Sequence, residues 1–104
     1  MLEAGDVVLA NVQLVGINEV KKRPAVVLFE EFDNIVVAGI TSNLNMVGIP
    51  LSKTDGAIKD SIIKTNYIFT LTGSGIIKKL FKLNKQKKSE LYSLLDSRIR
   101  KLIQ

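Results

Sequence analysis

Two apolar, β-branched runs, Pro24 to Phe29 and Ile35 to Ile40, flank a polar break at Glu30 to Asn34, a pattern that predicts an antiparallel hairpin. A turn centred on Phe32 sets Arg23 opposite Thr41 at the two open ends, where directly opposed residues have Cβ atoms roughly 4.5–5.5 Å apart. Ahead of the hairpin, Gly5-Asp6 opens a first strand, Val7 to Leu14, and Gly16-Ile17-Asn18-Glu19 reads as a mobile polar loop. Pro24 suits the first position of a strand, where its missing N–H costs little. Beyond Thr41 the segment Ser42 to Asn45 is rich in turn formers, Val47 to Ser52 is a short strand, and Lys53 to Gly56 is a turn. Ser61 to Leu71 reads as a long, bent strand and Ile76 to Leu83 as the last one, with Gly73-Ser74-Gly75 as the hairpin turn between them.

The period then changes. Asn84 is a helix N-cap, and Leu91, Leu94, Leu95, Ile99, Leu102 and Ile103 recur at three- and four-residue spacing. Arg98, Arg100 and Lys101 lie where they suit the helix dipole. Five or six short strands followed by one amphipathic helix, without βαβ alternation, predict a mainly β fold: a small, strongly curved barrel of antiparallel strands closed by the C-terminal helix. At 104 residues the chain has room for one modest core, so residues 1–104 are expected to form a single domain.

Composition narrows the chemistry. Hydrophobic residues make up 46% and charged residues 24%, which is globular. With neither cysteine nor histidine, the chain lacks disulfide staples, the usual zinc ligands and the commonest general base. No metal or other cofactor is expected, and any catalysis falls to Arg, Lys, Thr, Ser, Asp, Glu or Tyr. Fifteen basic against ten acidic residues give a formal charge of +5, which points to a polyanionic or acidic partner or to a merely basic surface. The N-terminus lacks a secretory pattern and no apolar run approaches the roughly 20 residues needed to span a bilayer, so a cytoplasmic location without membrane contact is expected.

Several clusters carry two readings. Lys21-Lys22-Arg23-Pro24 is either a phosphate grip, with Arg23 giving a fork of donors and the lysines supplying field, or a charged loop that keeps a sheet edge unpaired. Thr41-Ser42-Asn43 is a hydroxyl-capped strand terminus or one wall of an anion site. Asp60-Ser61 caps a turn or lines a groove. The run Lys78 to Lys88 carries six lysines around Leu80, Phe81 and Leu83, either an electrostatic platform for RNA or a solvated face.

Taken together, Gly5-Asp6-Val7-Val8, Lys22-Arg23-Pro24-Ala25-Val26-Val27-Leu28, Ile35 to Ser42, Asp60-Ser61-Ile62-Ile63, Ile68 to Leu71 and Ile76 to Leu80 resemble the MazF/PemK toxin family. The resemblance spans nearly the whole chain and is greatest to the PemK-like branch. It implies an SH3-like barrel of the CcdB/PemK type working as a homodimer. It also implies metal-independent, sequence-specific cleavage of single-stranded RNA, restrained by a cognate antitoxin that is acidic or carries a disordered tail. Carried onto this sequence, the arginine of the family's Arg-Pro motif is Arg23 and its strand-end threonine is Thr41, the catalytic pair. Lys21, Lys22, Ser42, Asn43, Asp60, Ser61, Lys64 and Asn66 become substrate-binding candidates. Some relatives place an arginine and an aspartate where this chain has Lys64 and Asn66; lysine keeps the charge, but Asn66 cannot act as a base. The Glu-Gln pair of longer members is also missing, since Glu19 is followed by Val20.

The reaction implied is attack of a ribose 2′-hydroxyl on its own adjacent phosphate, leaving a 2′,3′-cyclic phosphate and a 5′-hydroxyl. Two other readings compete with it. One is a non-catalytic barrel that binds a protein target, as CcdB toxins bind gyrase. The other is a basic nucleic-acid binder without toxicity.

Overall fold

The computed structural model of the chain describes residues 2–13 and 19–104. Leu14, at the end of the expected first strand, and Gly16, Ile17 and Asn18 of the expected loop lie outside the described residues. The strands are β1 (Asp6–Gln13), β2 (Val20–Glu31), β3 (Asn34–Thr41), β4 (Ile49–Leu51), β5 (Ser61–Thr72) and β6 (Ile76–Lys82), followed by the helix α1 (Lys85–Ile99). Among the described residues they form one antiparallel sheet in the order β4-β5-β3-β2-β1-β6, curled into a half-barrel with the helix at its C-terminal end. Short 3-10 turns at Lys53–Asp55 and Gly73–Gly75 stand where the sequence predicts turns.

Strand alternation divides the apolar residues between two faces. Val7, Val26, Ala38, Ile40, Ile49, Leu51 and Ile63 pack together on one face with Leu83 and with Leu91 of the helix. Val8, Ala25, Val27, Ile35 and Val37 form a second cluster on the other, covered by Leu2, Phe69, Leu71 and Ile76. With few aromatics, the second core is built from small and β-branched side chains, which suit a pleated sheet, while leucines from β4, from just past β6 and from the helix enlarge the first.

The predicted hairpin forms, with a register that differs from expectation in an instructive way. Phe32 and Asp33 have φ of 50° and 65°, so the turn is a two-residue one centred between them, and the ladder begins Glu31↔Asn34, Glu30↔Ile35, Phe29↔Val36. Positive φ at both central residues is the type I′ signature, matched to the right-handed twist of the strands. A bulge between Val27 and Phe29 then absorbs Leu28, and the pairing continues Val27↔Val37, Val26↔Ala38, Ala25↔Gly39. That is the register of a turn centred on Phe32, restored by one extra residue. The ladder stops there. Arg23 and Thr41 lie two residues past the last pair and are not ladder partners.

Past Ala25 the two strands part. β2 continues along β1 through Leu9↔Pro24, Ala10↔Arg23 and Asn11↔Lys22, while β3 continues along β5 through Ile40↔Ile63 and Thr41↔Ile62. Pro24 therefore lies inside β2 rather than at its start, which is Val20. It is tolerated because the β3 side of β2 is already unpaired at that point, an edge-like position.

Sheet curvature has local causes. Between Ile63 and Ile68 the residues Lys64 to Tyr67 face the single Gly39 of β3, so β5 makes an excursion there. A Cβ on Gly39 would sit 2.7 Å from Tyr67 Cδ2, so only glycine lets that ring lie against the backbone. In β6, register shifts leave Leu80 and Ile77 as extra residues against β1.

The helix begins where the sequence places it. Asn84 Oδ1 accepts from the Lys87 N–H at 2.8 Å. Leu91 is buried, with Leu94 and Leu95 packed against the first core. Ile99, Leu102 and Ile103, expected on the same stripe, are 62%, 84% and 85% exposed. They lie at the last residue of the helix and in the 3-10 turn after it (Arg100–Ile103), beyond the leucines that pack on the core.

β6 is fastened to β1 by a buried carboxylate. Asp6 is fully buried; its Oδ2 accepts from the Glu3 N–H at 2.8 Å and meets Lys79 Nζ at 3.3 Å, and Lys82 Nζ lies 3.9 Å from Oδ1. Burial opposes its charge, but the Glu3 N–H and the two lysines outweigh that and hold the carboxyl below the usual aspartate range.

Candidate functional site

The parting of β2 and β3 opens a pocket of about 490 Å³. Lys22, Arg23 and Pro24 line it from β2, with Ile40, Thr41 and Ser42 from the end of β3. By register, Arg23 and Thr41 belong to one sheet face, with Ala25 and Gly39, while Lys22, Pro24 and Ile40 belong to the other. All contribute because the pocket lies at the splayed ends rather than over one face. Its floor is apolar, formed by Val7, Leu9, Leu51, Leu80 and Phe81. The segment Gly56-Ala57-Ile58-Lys59, Ser61 and Lys78 complete the wall.

The charge of this wall is one-sided. Lys22, Arg23, Lys59 and Lys78 line it, and among the described residues lining it none is Asp or Glu. Arg23 Nε is buried and donates to no acceptor among the described residues. An unpaired buried guanidinium donor is costly unless an acceptor arrives, which suits an incoming oxyanion. Thr41 Oγ1 accepts from the Asn43 N–H at 3.1 Å, which fixes the hydroxyl and leaves its own proton to donate.

Asp55 anchors the loop that forms the far wall. It accepts from the Ser52 N–H at 2.9 Å and from Asn84 Nδ2 at 3.1 Å, tying the loop to the helix cap. The Ser52 N–H, the Asn84 amide, the Ser52 hydroxyl and Lys87 hold its carboxyl below the usual range against partial desolvation. Gly56 follows with φ of 106°, and a Cβ there would stand 2.8 Å from Phe81 Cδ2. The loop therefore lies directly on the ring.

A family model described as PemK-like, MazF-like toxin of type II toxin-antitoxin system matches residues 3–99. The chain belongs to this toxin family. The fold of the Mycobacterium tuberculosis toxin MazF-mt6 superposes on it with a TM-score of 0.76 at 17% identity, covering 90% of this chain and 95% of that one. MazF from Deinococcus radiodurans does so with a TM-score of 0.76 at 19% identity, covering 94% and 96%. An endoribonuclease in complex with its cognate antitoxin, from a mycobacterial species, matches with a TM-score of 0.74 at 11% identity, covering 95% of each chain. No curated protein sequence matches the chain.

In this MazF-like toxin the residues singled out from sequence separate into groups. Arg23, Thr41, Lys22, Ser42 and Ser61 share the pocket. Lys21 is exposed beside Glu19, with Nζ 3.9 Å from its carboxylate, and does not line it. Asn43 turns its Oδ1 to the Asn45 N–H at 3.0 Å, stiffening the loop after Thr41. Asp60 lines a neighbouring hollow of about 420 Å³ with Asp55 and Lys87, divided from the first pocket by the shared Leu51 and Ser61. Lys64 and Asn66 ride on the β5 excursion outside both hollows, Lys64 Nζ lying 5.1 Å from the Tyr67 ring centre.

Lys59 and Ile58 were not signalled by the sequence, which shows them as ordinary loop residues. Lys78 appeared only as one of a lysine run. The register of β6 selects it, pairing Lys78 with Leu9 on the pocket face while Lys79 and Lys82 turn to Asp6. Among the described residues no group of three acidic, His or Cys side chains is placed to hold a metal, and no helix is long and apolar enough to cross a membrane.

Proposed function

We propose that this toxin is an endoribonuclease that cleaves single-stranded RNA at the pocket between β2 and β3. The observation that carries the reading is the convergence of Arg23, with its unpaired Nε, and Thr41 on a wall of cations that contains no carboxylate among its described residues. A phosphodiester brings its own nucleophile, so such a site needs to hold and stabilise rather than attack. The 2′-oxygen bonds to phosphorus as the bond to the 5′-oxygen breaks, giving a 2′,3′-cyclic phosphate and a 5′-hydroxyl. Arg23 stabilises the charge that builds on the phosphorane-like transition state and polarises the leaving oxygen. Thr41 and Ser42 hold a non-bridging oxygen, and Lys22 draws the strand in. With neither imidazole nor carboxylate among the described lining residues, the 2′-proton leaves to solvent and the departing 5′-oxygen takes its proton from solvent.

An antitoxin fits the same reading, since the similar mycobacterial endoribonuclease was solved in complex with its cognate antitoxin. An acidic or disordered-tailed segment folding over the cationic wall would shut the site. We further propose a cytoplasmic homodimer, for which the exposed Tyr92, Ile99, Leu102 and Ile103 offer an apolar surface.

The test is cleavage of a single-stranded RNA by the purified wild-type, Arg23→Ala and Thr41→Val proteins, each checked for folding by circular dichroism. Loss of one oxyanion-stabilising donor is expected to slow cleavage about 100- to 1,000-fold in Arg23→Ala. Unchanged cleavage by a folded Arg23→Ala protein would remove Arg23 from the site.

A further inference from the structure

Resting on the nucleic-acid reading of the pocket, we propose that its far end, between Phe81 and Ile58, is a seat for one unpaired nucleobase of the bound strand. Three features of this end point to a flat apolar group joined to an anion. The first is the floor. The register shift in β6 that leaves Leu80 as an extra residue between Phe81 and Lys79 brings the consecutive Leu80 and Phe81 to the same pocket. Cross-strand pairing sets Phe81 beside Val7 and Lys78 beside Leu9, so an aromatic ring and an ammonium follow one another along one wall.

The second feature is Ile58. It lines the pocket yet is 84% exposed, while its neighbour Ala57 is packed against the core. Folding gains little from leaving an isoleucine in water at the rim of a charged pocket. A base entering between Ile58 and Phe81 would cover it.

The third is rigidity. The Asp55 anchor and the contact of Gly56 with the Phe81 ring fix the loop relative to the floor, so the seat is preformed. Lys59 and Lys78 line the same pocket as Arg23, so cations stand ready for the phosphates of a strand whose base is seated. The pocket volume lies within the range that takes ligands of nucleotide size. An alternation of apolar seat and cation is the arrangement single strands use.

The experiment compares binding of uniformly deoxy, uncleavable probes: short fluorescent oligo-dA, oligo-dC and oligo-dT against a sugar-phosphate oligomer of equal length without bases. Wild type should bind at least one base-bearing probe about tenfold tighter than the abasic one, which lies within the range that one base stacked on an aromatic side chain contributes. Phe81→Leu should cut that ratio several-fold while leaving abasic binding unchanged. Ile58→Ser, a surface change that cannot disturb the core, should do the same and serves if Phe81→Leu misfolds. Equal affinity of wild type for base-bearing and abasic probes, no binding of either, or a ratio unmoved by Ile58→Ser would overturn the seat and leave an acidic peptide as the better occupant. The nuclease reading fails separately, through wild type leaving RNA uncut.

Discussion

Replacing Asp6 by asparagine removes one buried charge from the junction of β1 and β6 and keeps the shape. The carboxylate is fully buried, while Lys79 and Lys82 keep 48% and 42% of their side chains exposed. The lysines can therefore return to water, and the cost stays below the about 3–5 kcal/mol of stranding a buried charge. What is lost is one charge-assisted hydrogen bond and two attractions, the longer at 3.9 Å. Charge-assisted bonds contribute about 1.5–3 kcal/mol, so a loss of about 2 kcal/mol at neutral pH is expected. For a domain of this size that corresponds to a fall in Tm of roughly 8–16 °C.

The pH dependence separates charge from packing. Asp6 has its carboxyl held below the usual aspartate value in the folded state, so its contribution is complete above the unfolded pKa of about 3.9 and is lost as pH falls through the folded value. Urea unfolding of wild type and Asp6→Asn between pH 7 and pH 2.5 should show a constant gap above about pH 5 that closes in acid. A gap that persists unchanged at the lowest pH would show that Asp6 acts through packing alone and refute the ion-pair account. Because Asp6 fastens the strand that carries Lys78 and Phe81, the variant should also bind RNA less tightly at temperatures where it remains folded.

Phe32 is 91% exposed and has φ of 50°, so Phe32→Gly should raise stability by about 1 kcal/mol, read as a higher denaturation midpoint. Gly56→Ala should destabilise by about 2 kcal/mol, because a φ of 106° disfavours a side chain and the new Cβ would press on Phe81; chemical denaturation measures it. Asn84→Ala should cost about 1 kcal/mol through the lost helix cap and also free the loop at Asp55, seen as faster amide exchange at residues 56–59.

Local grammar made most of the fold legible. The apolar runs of β2 and β3, the breaks at Lys53 and Gly73 and the cap at Asn84 depend on neighbours in sequence, and they stand where the pattern puts them. Bulges are set by tertiary packing. The extra Leu28 restored a register whose turn centre differed from expectation, and the β5 excursion carried Lys64 and Asn66 away from the pocket. The helix stripe was readable, but not that its packing on the core stops at Leu95 and leaves Ile99, Leu102 and Ile103 exposed. The candidate site was half legible. The hairpin pattern pointed to Arg23 and Thr41, which share the pocket although the ladder ends two residues short of them, whereas Lys59, Ile58 and Phe81 reach it through a loop and a bulge whose positions no local pattern encodes.

The most direct test of the central claim is the chemistry of the cut ends. Purified toxin incubated with a single-stranded RNA in EDTA should yield fragments ending in a 2′,3′-cyclic phosphate and beginning with a 5′-hydroxyl, at a rate that rises with pH, and the Arg23→Ala protein should yield almost none. Intact RNA after incubation with the folded wild-type protein, or fragments bearing 5′-phosphates, would contradict it.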